Sequence, residues 1–71
     1  MTIAIGRYRH FKGMEYSVLG VARHSESQED FVVYRQEYGD HSLWVRPKQM
    51  FLEMVEVAGR QRPRFEFLGP E

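Results

Sequence analysis

The chain contains no cysteine. Disulfide staples, thiolate nucleophiles and thiolate metal ligands are therefore excluded at once. It also lacks a charge excess, since ten Lys and Arg balance ten Asp and Glu. A protein that grips nucleic acid by neutralising phosphates normally carries a basic surplus. Long apolar runs are missing too. The longest, residues 18–22, falls far short of the ~20 residues of a membrane helix, and residues 1–5 are too short for a signal-peptide core. A cytoplasmic protein without a membrane partner is the expectation. No glycine-rich phosphate loop or nucleophile elbow occurs.

What remains is a 71-residue chain rich in rings, 14% Phe, Trp and Tyr. That share explains how so short a chain assembles a core, because each ring buries a large area. One domain over residues 1–71 is expected, ordered over about 6–68. Charge is uneven along it. Arg7, Arg9 and Lys12 stand near the start without an acid, Arg60, Arg62 and Arg64 cluster near the end, and Glu26, Glu29 and Asp30 concentrate between.

Alternation and turn signals divide the chain into short strands. Residues 6–11 form a first strand closed by Gly13, and residues 15–24 a second, with Gly20 marking a bend or bulge. In that second strand alternation sets Tyr16, Val18, Gly20 and Ala22 against Ser17, Leu19, Val21 and Arg23. A polar connection leads to the β-branched run 31–35, and a Gly39-Asp40 turn leads to the strand 43–46. Pro47 then opens one short 3₁₀ or helical turn reaching Phe51. Residues 53–57 and 63–67 pair across Ala58-Gly59, with Pro63 on an edge and residues 69–71 as a frayed tail. The pattern predicts an all-β, mostly antiparallel fold, a small SH3-like barrel of five to six short strands, with an OB-like barrel as the alternative.

The segment Ser42-Leu43-Trp44-Val45-Arg46-Pro47 holds the sole tryptophan. With Leu43 and Val45 turned to the core, Trp44 and Arg46 stand side by side near the surface, a rigid ring beside a fixed fork of donors. Tyr34 and Arg35 extend this patch from the preceding strand, and Tyr8 and His10 from the first. The alternative is that Trp44 is core and Arg46 lies along the barrel wall. Tyr8, Arg9, His10 and Lys12 interleave rings with cations, as single-strand nucleic-acid platforms do, and so does a solvated edge strand.

Catalysis finds less support. His10, His24 and His41 lack the tight spacing of a metal-ligand pair. In His24-Ser25-Glu26 and Asp40-His41-Ser42 the triad residue types are adjacent, so on a strand they point to opposite faces. Met50, Phe51, Leu52, Met54 and Val55 are mainly core by this reading, and any surplus suits a homodimer.

Several strings resemble one family: Gly6-x-Tyr8-Arg9-His10-Phe11-Lys12-Gly13, Tyr16-x-Val18-Leu19-Gly20-x-Ala22-Arg23-His24-Ser25, Val32-Val33-Tyr34, Leu43-Trp44-Val45-Arg46-Pro47-x-x-Met50-Phe51 and Pro63-Arg64-Phe65. Together they are similar to short bacterial proteins grouped as domain of unknown function 1653. The resemblance implies a compact β domain, SH3-like, that occurs alone or beside others. It implies no activity and brings no catalytic residue. The expectation is a non-enzymatic module without cofactor or metal. It recognises a protein or peptide through Tyr8, His10, Tyr34, Arg35, Trp44 and Arg46. The alternatives are RNA or single-stranded DNA binding that adds Arg7, Arg9 and Lys12, or an accessory role to an enzyme.

Overall fold

The computed structural model describes residues 2–71. Seven strands and one helical turn follow in order: β1 Gly6–His10, β2 Glu15–Arg23, β3 Asp30–Gln36, β4 Leu43–Pro47, α1 Lys48–Phe51, β5 Met54–Val57, β6 Arg60–Pro63 and β7 Phe65–Gly69. Five strands make one antiparallel sheet in the order β4-β3-β2-β1-β7, and β5-β6 stand apart as a hairpin. The expected closed barrel is not formed, because β4 and β7 share no ladder. The sheet nevertheless curls until its two edges face each other. Arg46 of β4 lies 5.6 Å above the Phe65 ring of β7.

The segment after residue 57 divides differently from the sequence reading. Val57 pairs with Arg60 around Ala58 and Gly59, both at positive φ (53° and 78°), the backbone of a tight two-residue hairpin. The strand then breaks at Arg64. Residues 60–63 pair with β5, with Pro63 on an edge, while Phe65 onward pairs with β1. Arg64 marks the crossing: its N–H donates to the Glu53 carbonyl at 3.0 Å and its carbonyl accepts from Phe11 N–H at 2.9 Å.

The inner face holds nearly all the buried rings. Tyr8, Tyr16, Tyr34 and Phe65 are buried with Val18 and Val32, and α1 adds Phe51. Phe51 and Phe65 stack at 4.2 Å with planes 4° apart, and Tyr8 meets Phe51 edge-on at 5.4 Å. A four-residue helix has no stability of its own; this one is held by the ring it inserts. Its neighbours Met50, Leu52 and Met54 stay exposed, so the apolar stretch is less buried than its composition suggests.

Gly20 does mark a bulge, and the bulge redistributes the faces. The β2–β3 register shifts between Val18 and Gly20, so Val21 comes opposite the wholly buried Val32 while Gly20 and Ala22 oppose Val33 and Phe31. Plain alternation from Tyr16 puts these residues on the wrong sides, because one extra residue flips everything after it.

Both ends of the described residues make contacts with the sheet. Ile3 sits in the core, and the Ala4 carbonyl accepts from the Tyr8 hydroxyl at 2.7 Å. At the other end Glu71, expected in a frayed tail, meets Arg7 Nε at 3.0 Å. The buried Ser17 hydroxyl lies between the Glu71 and Glu37 carboxylates, and Arg35 closes the row on Glu37 at 3.2 Å. Ser17 first, and then Arg7 or Arg35, hold both carboxyls below the ordinary 4.5. A carboxyl depressed in the folded state contributes stability above its unfolded value, and this is lost as pH falls through the folded one. Urea midpoints measured from pH 7 downward should therefore drop below about pH 4.5. The drop should be shallower in Ser17→Ala; parallel acid limbs would show that the Ser17 row does not cause it.

Candidate functional site

Strand pairing decides which way the tryptophan points. Trp44 lies opposite Tyr34, and Arg46 opposite Val32, so both project from the inner face. Leu43 and Val45 lie on the outer face and are 60% and 61% exposed, the reverse of the orientation expected for them. Being core-side would normally cover an indole, but β4 is an edge strand. Trp44 therefore overhangs the rim of the curled sheet and stays 52% exposed. Its Nε1 donates to Ser42 Oγ at 3.0 Å, which orients the ring.

Below the indole is a cleft of about 220 Å³ lined by Tyr16, Tyr34, Gln36, Tyr38, Trp44 and Arg46. Tyr16 and Gln36 are cross-strand partners, so the same face that carries Trp44 brings them in. The Tyr16 and Tyr38 hydroxyls bond at 2.7 Å. Burial, and then the Tyr38 hydroxyl, push the Tyr16 phenol up, so it stays protonated in neutral solution and serves as a hydrogen-bonding group rather than a base. Arg46 Nε approaches the Tyr34 hydroxyl at 3.5 Å, and the guanidinium is half-buried over Phe65. No carboxylate among the described residues lies within ion-pair distance of Arg46. Arg7, Arg9, Arg23, Arg35 and Arg64 each have one, whereas Arg60, Arg62, Lys12 and Lys48, none of which lines the cleft, also form no ion pair among the described residues.

The other expected site residues distribute less evenly. Tyr8 is 6% exposed, wedged between Phe51 and Phe67, and belongs to the core. Tyr34 is equally covered, lines the cleft and meets Arg46 Nε with its hydroxyl. Arg35 is corrected outright. It lies opposite Leu43 on the outer face and pairs with Glu37, away from Trp44. His10 is half-buried beside Phe11 and edge-on to Phe65, with Nδ1 accepting from the Lys12 N–H at 3.1 Å. Burial, and then Arg46, Arg64 and Lys12, lower its pKa and favour the neutral ring. Arg7 and Arg9 stand opposite Ser17 and Glu15, on the outer face, and are engaged by Glu71 and Glu15. They do not share a surface with Trp44. Lys12, at the β1–β2 turn, is held 5.9 Å above the Phe11 ring.

Sequence reasoning missed Tyr16, Gln36 and Tyr38. The spacing Tyr34-x-Gln36-x-Tyr38 was the available signal, since i, i+2 and i+4 share a face while the chain remains extended.

No three His, Cys, Asp or Glu side chains converge as metal ligands among the described residues. The histidines are engaged locally: His24 Nδ1 accepts from the Glu26 and Ser27 N–H groups, and His41 lies 3.5 Å from Glu37. A larger depression of about 420 Å³ lies between Glu29, Asp30, Lys48, Gln49 and Leu52, but it has no aromatic wall.

Fold and cleft thus define a small antiparallel β domain with an arginine set among tyrosines beneath a rim tryptophan. The family model described as protein of unknown function (DUF1653) matches residues 6–67. A crystal structure of a DUF1653 protein from Bordetella bronchiseptica is similar at 34% identity and a TM-score of 0.88, over 97% of this chain and 91% of that one. This chain belongs to the DUF1653 family. Comparison with curated proteins finds no match.

Proposed function

We propose that the domain is a non-enzymatic recognition module that takes a protein or peptide segment into the Trp44–Arg46 cleft. The observation that carries this reading is the half-exposed Trp44, oriented by Ser42, lining one cleft with a guanidinium that has no carboxylate within ion-pair distance. A fixed ring and a preorganised fork of donors recognise a ligand at low entropic cost. The groups around them are phenols, an amide and an indole, which bind but do not activate a nucleophile. The strand order β7-β1-β2-β3-β4, with a helical turn after β4, supports reading the scaffold as an SH3-like barrel left open at one seam. Scaffolds of that kind seat extended peptides against aromatic side chains.

The nucleic-acid reading draws no support from Arg7 and Arg9, whose charges are already paired on the opposite face.

Trp44 is the sole tryptophan, so its emission reports on the cleft without labelling. Peptides selected from a random display library on the wild-type domain should shift that emission. Their affinity should fall at least about tenfold in Trp44→Ala, as for a central aromatic anchor. Peptides that bind this variant as well as the parent would remove the cleft from consideration.

A further inference from the structure

We infer that the group recognised at the floor of the cleft is a carboxylate of the bound peptide, held by Arg46; this rests on the recognition reading above. The domain is neutral overall, with ten charges of each sign, yet their placement is not neutral. Carboxylates crowd the outer face, where Glu15, Glu37 and Glu71 engage Arg7, Arg9 and Arg35. Around Phe65 on the inner side the balance reverses. Arg46 lies over its ring, His10 meets its edge, and Arg64 precedes it in the chain. In this group one acid, Glu53, serves Arg64, at 3.7 Å, and Arg64 Nε is buried without a hydrogen-bond partner.

Arg46 is therefore a half-buried cation with aromatic neighbours and no carboxylate within ion-pair distance. A guanidinium keeps its charge in a protein, so partial burial without an anionic partner costs free energy that an incoming anion recovers. Its planar fork matches a carboxylate in two parallel hydrogen bonds. The Tyr34 hydroxyl, 3.5 Å from Nε, is placed to add a third donor. Trp44 then covers the apolar part of the same ligand residue or of its neighbour. The occupant is thus a peptide with an Asp or Glu side chain, or a chain-terminal carboxylate, next to an apolar residue.

The test uses two random-peptide libraries on the intact domain, one with free C-termini and one with both ends embedded in the display protein. Side-chain recognition should enrich Asp or Glu in both. Terminal recognition should yield binders only from the first. Replacing the selected acid by Asn or Gln, or amidating the terminus, should weaken binding about 10- to 100-fold, as expected for a charge-assisted contact. Arg46→Gln should do the same and Arg46→Lys should restore part of it, with thermal midpoints confirming that both variants fold. The acid-to-amide comparison needs no variant, so a folding failure cannot mask the result. Peptides that depend on Trp44 but carry no acid, and bind Arg46→Gln unchanged, would overturn the carboxylate and leave the cleft standing. Failure to recover any Trp44-dependent peptide, or salt-sensitive quenching of Trp44 by a single-stranded oligonucleotide alone, would overturn both.

Discussion

Phe51→Ala should leave the domain largely unfolded. The ring is 2% exposed, stacked on Phe65 and flanked by Tyr8 and Tyr34 at 5.4 and 5.8 Å. Truncating a buried Phe costs about 3–5 kcal/mol, because the transfer free energy is lost and the hole is only partly filled. Small domains hold roughly 0.05–0.15 kcal/mol per residue, so a chain this short has little to spare. The loss also removes what ties α1 to the sheet, since four residues do not stay helical unaided. Urea titration should show the transition gone or displaced by most of its span. Leu43→Ala is the control. On the outer face, and 60% exposed, it should change stability by less than about 0.5 kcal/mol. Comparable losses in the two variants would mean that the inner and outer faces are wrongly assigned.

Gly6→Ala should be nearly as damaging, for a different reason. Gly6 has φ +147°, a backbone conformation side chains rarely adopt, and an added Cβ would lie 2.5 Å from the Gly69 carbonyl oxygen and 2.9 Å from Pro70 Cα. Both neighbours are backbone, so relief requires β7 to move away from β1, where the ladder already shifts register between Arg7 and Tyr8. Backbone strain and overpacking together imply a cost of about 2–4 kcal/mol. Hydrogen exchange should quicken first in β7 and the segment after it. Gly20→Ala makes the comparison sharp. Its Cβ would meet nothing within 4 Å and its φ is ordinary, so stability should change by no more than about 1 kcal/mol. Equal effects at Gly6 and Gly20 would argue against the close β1–β7 approach.

The two glycines show where reading the chain stops. Both open or interrupt a strand pattern, and Gly20 reads as a bend or bulge; which glycine faces a backbone wall depends on β7, some sixty residues from Gly6. The same holds for the site. Trp44 and Arg46 were legible as a pair, because period two puts i and i+2 on one face. Arg35 and Tyr8 were assigned to that pair by chemistry, and each was misplaced, one to the opposite face and one to the core. Tyr16 and Tyr38 escaped notice because their nearness to Trp44 is created by cross-strand pairing and a turn.

Composition and periodicity alone determined an all-β antiparallel domain, a short 3₁₀ or helical turn after Pro47, an irregularity of β2 at Gly20 and the absence of thiol chemistry, since each follows from local sterics or from residue types present or missing. Only the tertiary structure decided which face is inside, that the sheet curls without closing, and that Arg46, the one cation lining the cleft among the described residues, has no carboxylate within ion-pair distance. Those outcomes depend on the register between distant strands, where one extra residue exchanges inside for outside. No local pattern carries that information.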